Sequence, residues 1–473
     1  MGNIEKSKYH QLISNTLLFA LGNFGSKFLV FLLVPLYTHA LSTEEYGISE
    51  LVITGINLII PFVSVSIQDA TLRFVLDPNN DNRVILKNTI FMLAIGSVGS
   101  CLLYPFFHLY KAIADWSIYF VIITIVYMIR NALSVYVKAI GKSKLFAIDS
   151  ILYTGILMVT NIVLLVFFEW GLKGYFLATI ISTIISIGIL CIFGSVVREC
   201  IEGKVDFDIL KEMLIFSLPM VLNNVSWWII HSSDKVMVQY FMSTGDSGIY
   251  SVSAKMPSII STITNIFNQA WVISSVSEYD TSRDTNFFTN IFNAFNSVIV
   301  IFAALIVSII KPLMQVYVGN SFASCWQYVP LLLLGSIFQA YATFFGAIYT
   351  SAKKNVSVMV TTFIAAIVNI ILNAIFIPLI GINGAAIATA VAYFVVFIFR
   401  MIDSQKYIKF KIDFYHVVFS MILLTVQSVI VTFDWNQYFV SVICLLGLVL
   451  LNRLVLADII KKTIIKRVLR YSL

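Results

Sequence analysis

The sequence predicts an all-α integral membrane protein of about fourteen transmembrane helices: two six-helix lobes followed by a C-terminal helix pair. Three observations predict it. The 473 residues are 59% hydrophobic and only 12% charged, with mean hydropathy +0.92, where soluble domains carry about 25% charged residues. Apolar runs of roughly 20 residues, each long enough to cross a bilayer, recur from end to end. Two phrases also return in the same order, displaced by 201 to 210 residues.

The predicted spans are 11–37, 47–71, 88–108, 116–139, 146–168, 172–194, 213–241, 248–275, 287–310, 325–350, 356–378, 382–402, 413–432 and 436–456. The first follows Lys6 and Lys8 but is too long for a signal-peptide core. No small-residue cleavage site follows it, so it reads as a retained helix. Spans 1–6 make an N-lobe, 1–204. The linker "KVDFDILKEM" leads into span 7. Its Asp206 and Asp208 faintly resemble a glycosyltransferase Asp-x-Asp but read as a soluble connection. Spans 7–12 make a C-lobe, 205–411. Spans 13 and 14 and the basic tail "KKTIIKRVLR" fill 412–473.

Loop charge fixes the orientation. One side carries Lys6, Lys8, Arg73, Arg83, Lys87, Lys138, Lys142, Lys144, Arg198, Lys204, Lys211, Arg283, Lys353, Lys354, Arg400, Lys406, Lys409 and Lys411. The other carries Lys111, Lys173 and Lys311. Such asymmetry places both termini in the cytoplasm. It also accounts for most of the basic balance behind the net charge of +7. The basic tail then suits anionic membrane lipids rather than nucleic acid. Five cysteines without a CxxC read as buried, reduced structural thiols.

The repeat is specific. "LSTEEYGISELVITG" returns as "MSTGDSGIYSVSAKM", with Ser42 on Ser243, Thr43 on Thr244, Glu45 on Asp246 and Gly47 on Gly248. "NIVLLVFFEWGLKGYFLATI" returns as "NIILNAIFIPLIGINGAAIATA". Asn161 falls on Asn369, and Gly171, Gly174 and Thr179 fall on Gly381, Gly384 and Thr389. The glycines suit tight outer turns that open closely packed helices. Six spans per copy is an even number, so both copies enter the membrane the same way round, as in parallel-repeat transporters. Two such lobes rocking around a central cavity would form an alternating-access machine.

The phrases "SSDKVMVQYFMSTGDSGIYSVSAKM", "FGSKFLVFLLVPLYTHALSTEEYGI" and "GINGAAIATA" resemble the polysaccharide-biosynthesis flippases. These Wzx-type lipid-linked oligosaccharide flippases belong to the MATE-like MOP superfamily, with the multidrug-extrusion transporters and the lipid II flippase. The resemblance implies a V-shaped twelve-helix core with additional C-terminal helices. It implies passage of undecaprenyl-pyrophosphate-linked oligosaccharide units from the inner to the outer leaflet of the bacterial cytoplasmic membrane, for capsule, O-antigen or exopolysaccharide assembly. No cofactor is expected, and a complex with a polysaccharide polymerase is left open.

Ionisable groups at membrane depth face a bundle interior or a watery cavity. The predicted spans hold Lys27, Arg130, Lys235 and Lys255, with Asp234 as the clearest buried anion. A diphosphate drawn toward hydrocarbon needs cationic partners, so these four cations are the expected substrate-binding wall. Each has a plainer reading. Lys27 can snorkel outward, and Asp234 with Lys255 can form an ion pair locking two helices at equal depth. Asp234 is also the candidate for ion coupling. Gln68, Asn223, Asn224 and Gln269 read as helix–helix hydrogen-bonding groups, Asp69 and Arg73 as a surface pair, and His231 as a packed polar residue.

A P-loop, HExxH, Gly-x-Ser-x-Gly and Rossmann fingerprint are all missing from the sequence, and the outer loops are short. An enzyme is therefore disfavoured. The competing transport readings are a MATE-type multidrug or cation antiporter and a lipid II flippase. The antiporter would need carboxylates in the N-lobe helices.

Overall fold

Two consecutive left-handed residues break the second predicted span. In this computed structural model, which describes residues 29–281, 285–352, 354–409, 413–435, 437–455 and 457, helix α2 (Thr43–Val63) stops there and α3 (Ile67–Val75) begins. Val65 and Ser66 have φ of 52° and 49°, a region that a β-branched residue seldom occupies. Pro61 lacks an amide hydrogen and so weakens the last turn of α2 just before this kink.

Among the described residues the fold is helical throughout. Before α2 comes α1 (Leu29–Ala40). After α3 come α4 (Asn82–Leu102), α5 (Tyr104–Leu109), α6 (Ser117–Ala139), α7 (Ser143–Asn161), α8 (Gly171–Phe193), α9 (Val196–Glu202) and α10 (Phe207–Phe241). The second half contains α11 (Thr244–Ser253), α12 (Pro257–Thr281), α13 (Thr285–Tyr317), α14 (Val329–Ser351), α15 (Asn355–Ile380), α16 (Ile382–Ser404), α17 (Phe414–Thr432) and α18 (Gln437–Leu451). Eleven helices among the described residues are long and apolar enough to span a bilayer, and Leu29–Ala40 and Tyr438–Leu451 are shorter apolar helices. The eighth expected span is divided into α11 and α12.

The chain falls into two compact units, one ending at Ser232 and the other beginning at Ser233. The division lies inside α10, whereas the sequence suggests the linker at 204/205. In the first unit, α6 packs against α2, α3, α4, α7 and α8. Ile56, Ile85, Phe120, Met128, Tyr136 and Phe176 fill its core. In the second unit α14 is the central helix: 83% of its apolar window is buried, against 28% for α15. It packs on α12, α16 and α17. Phe267, Trp271, Phe292, Phe295 and Phe344 stack around it, and the Trp271 indole donates to the Phe344 carbonyl at 3.0 Å.

The repeated phrases have a local physical meaning. Ser42 caps α2: its Oγ accepts from the Glu45 amide at 3.1 Å, and the Glu45 carboxylate accepts from the Ser42 amide at 2.9 Å. Ser243 caps α11 likewise, accepting from the Asp246 amide at 3.1 Å. Gly381 has φ +62°, and a Cβ on Gly384 would lie 2.3 Å from the Phe376 carbonyl oxygen. Only glycine lets α15 turn this tightly into α16. At the other end of α8, Lys142 donates to the Gly194 carbonyl at 3.0 Å, so this loop charge closes a helix C-terminus. The five cysteines are unbridged; Cys325 and Cys444 are buried as expected, but Cys101 is exposed.

Candidate functional site

The Asp-Lys pair sits in α10, and its acid is 4% exposed. Three helices supply donors to the Asp234 carboxylate. Tyr250 Oη of α11 donates at 2.9 Å, Thr389 Oγ1 of α16 at 2.5 Å, and Asn373 Nδ2 of α15 also donates. A second layer closes round them: Asn373 Nδ2 donates to Asn369 Oδ1 at 3.0 Å, Ser233 Oγ to the same oxygen at 3.2 Å, and Asn369 Nδ2 to Thr389 Oγ1 at 3.3 Å. Asn373 Oδ1 is buried without a partner. All these donors are neutral. They satisfy the carboxylate's lone pairs but not its charge, and an uncompensated buried charge is strongly unfavourable.

The ion pair expected between Asp234 and Lys255 is not among the contacts of this carboxylate; Tyr250, Thr389 and Asn373 take its oxygens instead. The reason is a break in the predicted helix 248–275. Lys255 lies in the turn joining α11 to α12, where its amide donates to the Val252 carbonyl at 3.0 Å. Depth counted along one continuous helix therefore misplaces it. Lys255 and Lys235 are both partly buried, and Ser247 Oγ donates to the Lys235 carbonyl at 2.9 Å. Lys27 lies outside the described residues.

Arg130 belongs to a separate constellation in the first unit. Its Nη2 meets Asp149 Oδ2 at 2.9 Å, its Nε donates to Ser186 Oγ at 2.7 Å, and its guanidinium lies 3.8 Å from the Tyr153 ring centroid. Ser186 Oγ in turn donates to Asp149 Oδ1 at 2.6 Å. Asp149 is fully buried, and sequence reasoning missed it. The signal was present: Arg130 precedes the turn at Gly141 by eleven residues and Asp149 follows it by eight, so the two lie within about one helical turn of each other in depth on α6 and α7.

Arg400 is a second correction. Its sequence position suggests a loop charge, yet it is 6% exposed. Its Nε donates to Thr361 Oγ1 at 2.9 Å, Nη1 to the Ala342 carbonyl at 2.8 Å, and Nη2 to Thr362 Oγ1 at 2.8 Å. It thus ties α16 to α14 and α15. Asp69 also departs from expectation: its carboxylate accepts from Asn224 Nδ2 at 3.0 Å rather than pairing with Arg73. Asn224 so makes the kind of helix–helix bond foreseen for it. His231 stacks on Trp227 with ring centroids 5.5 Å apart. Asp206 Oδ1 accepts from the Asp208 and Ile209 amides, so the first aspartate of "DFD" caps α10.

With these geometries in hand, comparison with known proteins places the chain. The family profile described as "Polysaccharide biosynthesis protein" matches residues 12–275, more than half of the sequence. The chain belongs to the polysaccharide biosynthesis protein family. No curated protein matches it in sequence. Among solved structures, this family member is similar to the lipid II flippase MurJ in an inward closed conformation. The TM-score is 0.68 at 13% identity, covering 95% of this chain and 100% of that one. It is also similar to an inward-facing multidrug resistance MATE transporter of the MOP superfamily, with TM-score 0.64 and 13% identity over 82% of this chain and 94% of that one. A MOP superfamily transporter from Pyrococcus furiosus, described as having a binding pocket of reversed polarity, scores 0.52 at 13% identity over 84% of this chain and 94% of that one. The family member is therefore a multi-pass membrane protein with the MATE- and MurJ-like fold.

Proposed function

We propose that the chain is a flippase that carries undecaprenyl-pyrophosphate-linked oligosaccharide repeat units from the inner to the outer leaflet of the bacterial cytoplasmic membrane. Both termini lie in the cytoplasm, and transport proceeds by alternating access. The observation that carries this reading is the family match over residues 12–275. Lys27, Lys235 and Lys255 supply positive charge to the diphosphate. Asp234, whose hydrogen-bonding shell is neutral, takes a proton or a monovalent cation and couples its gradient to the cycle. The likeness to MurJ over 95% of the chain favours lipid II as the second substrate reading. A multidrug antiporter is supported less: the fully buried carboxylate of the first unit, Asp149, is already matched by Arg130.

The test is the sidedness of the lipid-linked saccharide in spheroplasts of cells lacking this chain, read with a membrane-impermeant sugar-modifying probe. The expected result is an intermediate beyond the probe's reach, with access restored when the chain is expressed. Unchanged saccharide sidedness together with inward accumulation of lipid II would transfer the function to the second reading.

A further inference from the structure

The Arg130 constellation has a charge and a shape that the cationic wall does not need. Arg130 is fixed on three sides, by Asp149, Ser186 and the face of Tyr153. Its side chain remains 19% exposed, and among the described residues nothing accepts from Nη1. The Tyr153 hydroxyl donates to the Tyr127 hydroxyl at 3.3 Å, and both residues are partly buried. Guanidinium N–H groups open to hydrocarbon would go unsatisfied, so this edge faces water or a polar ligand.

The pair carries no net charge. A diphosphate approaching Nη1 would also approach the Asp149 carboxylate 2.9 Å from the same guanidinium, and like charges oppose each other there. A neutral polyol meets no such opposition. A rigid planar donor edge suits adjacent hydroxyl groups, and the two phenol rings offer apolar faces with hydroxyl tips to the C–H and O–H surfaces of a sugar.

We propose that Arg130, Tyr127 and Tyr153 form a saccharide-binding subsite, contacting the sugar of the transported molecule rather than its diphosphate. The proposal rests on the flippase reading above. In it Asp149 is a positioning residue: it holds the guanidinium edge in place and cancels its charge. This reassigns one of the four cations expected to line a phosphate-binding wall.

The experiment measures binding to the full chain in lipid nanodiscs with two probes: the lipid-linked saccharide extracted from the host membrane, and undecaprenyl diphosphate bearing no sugar. Arg130→Lys keeps the charge but loses the planar fork. Tyr153→Leu leaves the ion pair intact and guards against a folding defect in the first variant. Both are expected to weaken the glycosylated probe about tenfold, the worth of one well-made hydrogen bond or stacking contact. Binding of the bare diphosphate is expected to stay unchanged. Equal weakening of both probes would make Arg130 a phosphate contact and overturn the proposal. Unchanged binding of both would reduce the constellation to a structural ion pair. If the unaltered chain binds neither probe, the flippase reading itself falls, and this subsite with it.

Discussion

A buried carboxylate with neutral donors and a buried carboxylate with a cation respond differently to mutation. Asp234→Asn keeps the side chain's shape and removes the charge, so the variant is expected to fold. In proteoliposomes with an imposed proton or sodium gradient, its flipping rate should no longer respond to that gradient, while the unaltered chain's rate does. Asp149 behaves in the opposite way. Arg130→Ala leaves it buried and unpaired, at a cost of about 3–5 kcal/mol. Thermal unfolding in detergent should show that loss, and Arg130→Met combined with Asp149→Leu should recover most of it. Residue identity alone could not separate the two acids. Asp234 stood out because it interrupts an apolar run. Asp149 was hidden beside the basic loop holding Lys142 and Lys144, where a carboxylate looks like a surface charge. Arg400 was concealed in the same way, since proximity to Lys406 suggests solvent and the sequence does not show α14 and α15 closing over it.

At the scale of elements, the repeat was legible because it encodes backbone geometry. Ser42 with Glu45 and Ser243 with Asp246 are caps. The glycines are turns and close approaches, and such rules read directly from residue type. Ser243→Ala should destabilise the second unit by about 1 kcal/mol, the usual worth of a cap. Gly384→Ala should cost more, about 1–3 kcal/mol, because its Cβ meets a backbone carbonyl rather than a flexible side chain. Both are checked by the fraction of folded protein recovered after mild heating, with Gly188→Ala as the control, since nothing beyond its own helix turn and chain neighbours lies within 4 Å of its Cβ position. The helix breaks were not legible in hydropathy alone. Hydropathy runs through Val65 and through Lys255; the available signals were the prolines beside the breaks, Pro61 and Pro257, and residue type does not foretell the left-handed φ of Val65 and Ser66. The depth of Lys255 failed on that account.

At the scale of the molecule, family membership and fold come from different observations. The family profile speaks to the first 275 residues, whereas the MurJ likeness reaches 95% of the chain but rests on 13% identity. The substrate therefore depends on chemistry. If Lys235 and Lys255 serve the diphosphate, Lys235→Ala and Lys255→Ala should each abolish surface saccharide while leaving folded protein in the membrane, measured by probe labelling and by size-exclusion chromatography of the purified variants. Wild-type levels of surface saccharide in both variants would remove the two lysines from the path.

The acid of the second copy has no counterpart in the first. Displaced by 201 residues, Asp234 falls on Leu33, which is 1% exposed, and Tyr250 falls on Ser49. The corresponding asparagine, Asn161, spends its amide on the Leu157 carbonyl of its own helix. Among the described residues, Asp234 is the one buried acid without a cationic partner, since Asp149 is held by Arg130. If Asp234 couples an ion gradient as proposed, a single such acid carries one ion per cycle. One elementary charge crossing 100 mV supplies about 2.3 kcal/mol. That corresponds to roughly fiftyfold between leaflets for the coupled ion alone, and the negative charges of a diphosphate cargo crossing the same field add to it. Reactions that consume the saccharide on the far side would steepen the asymmetry further.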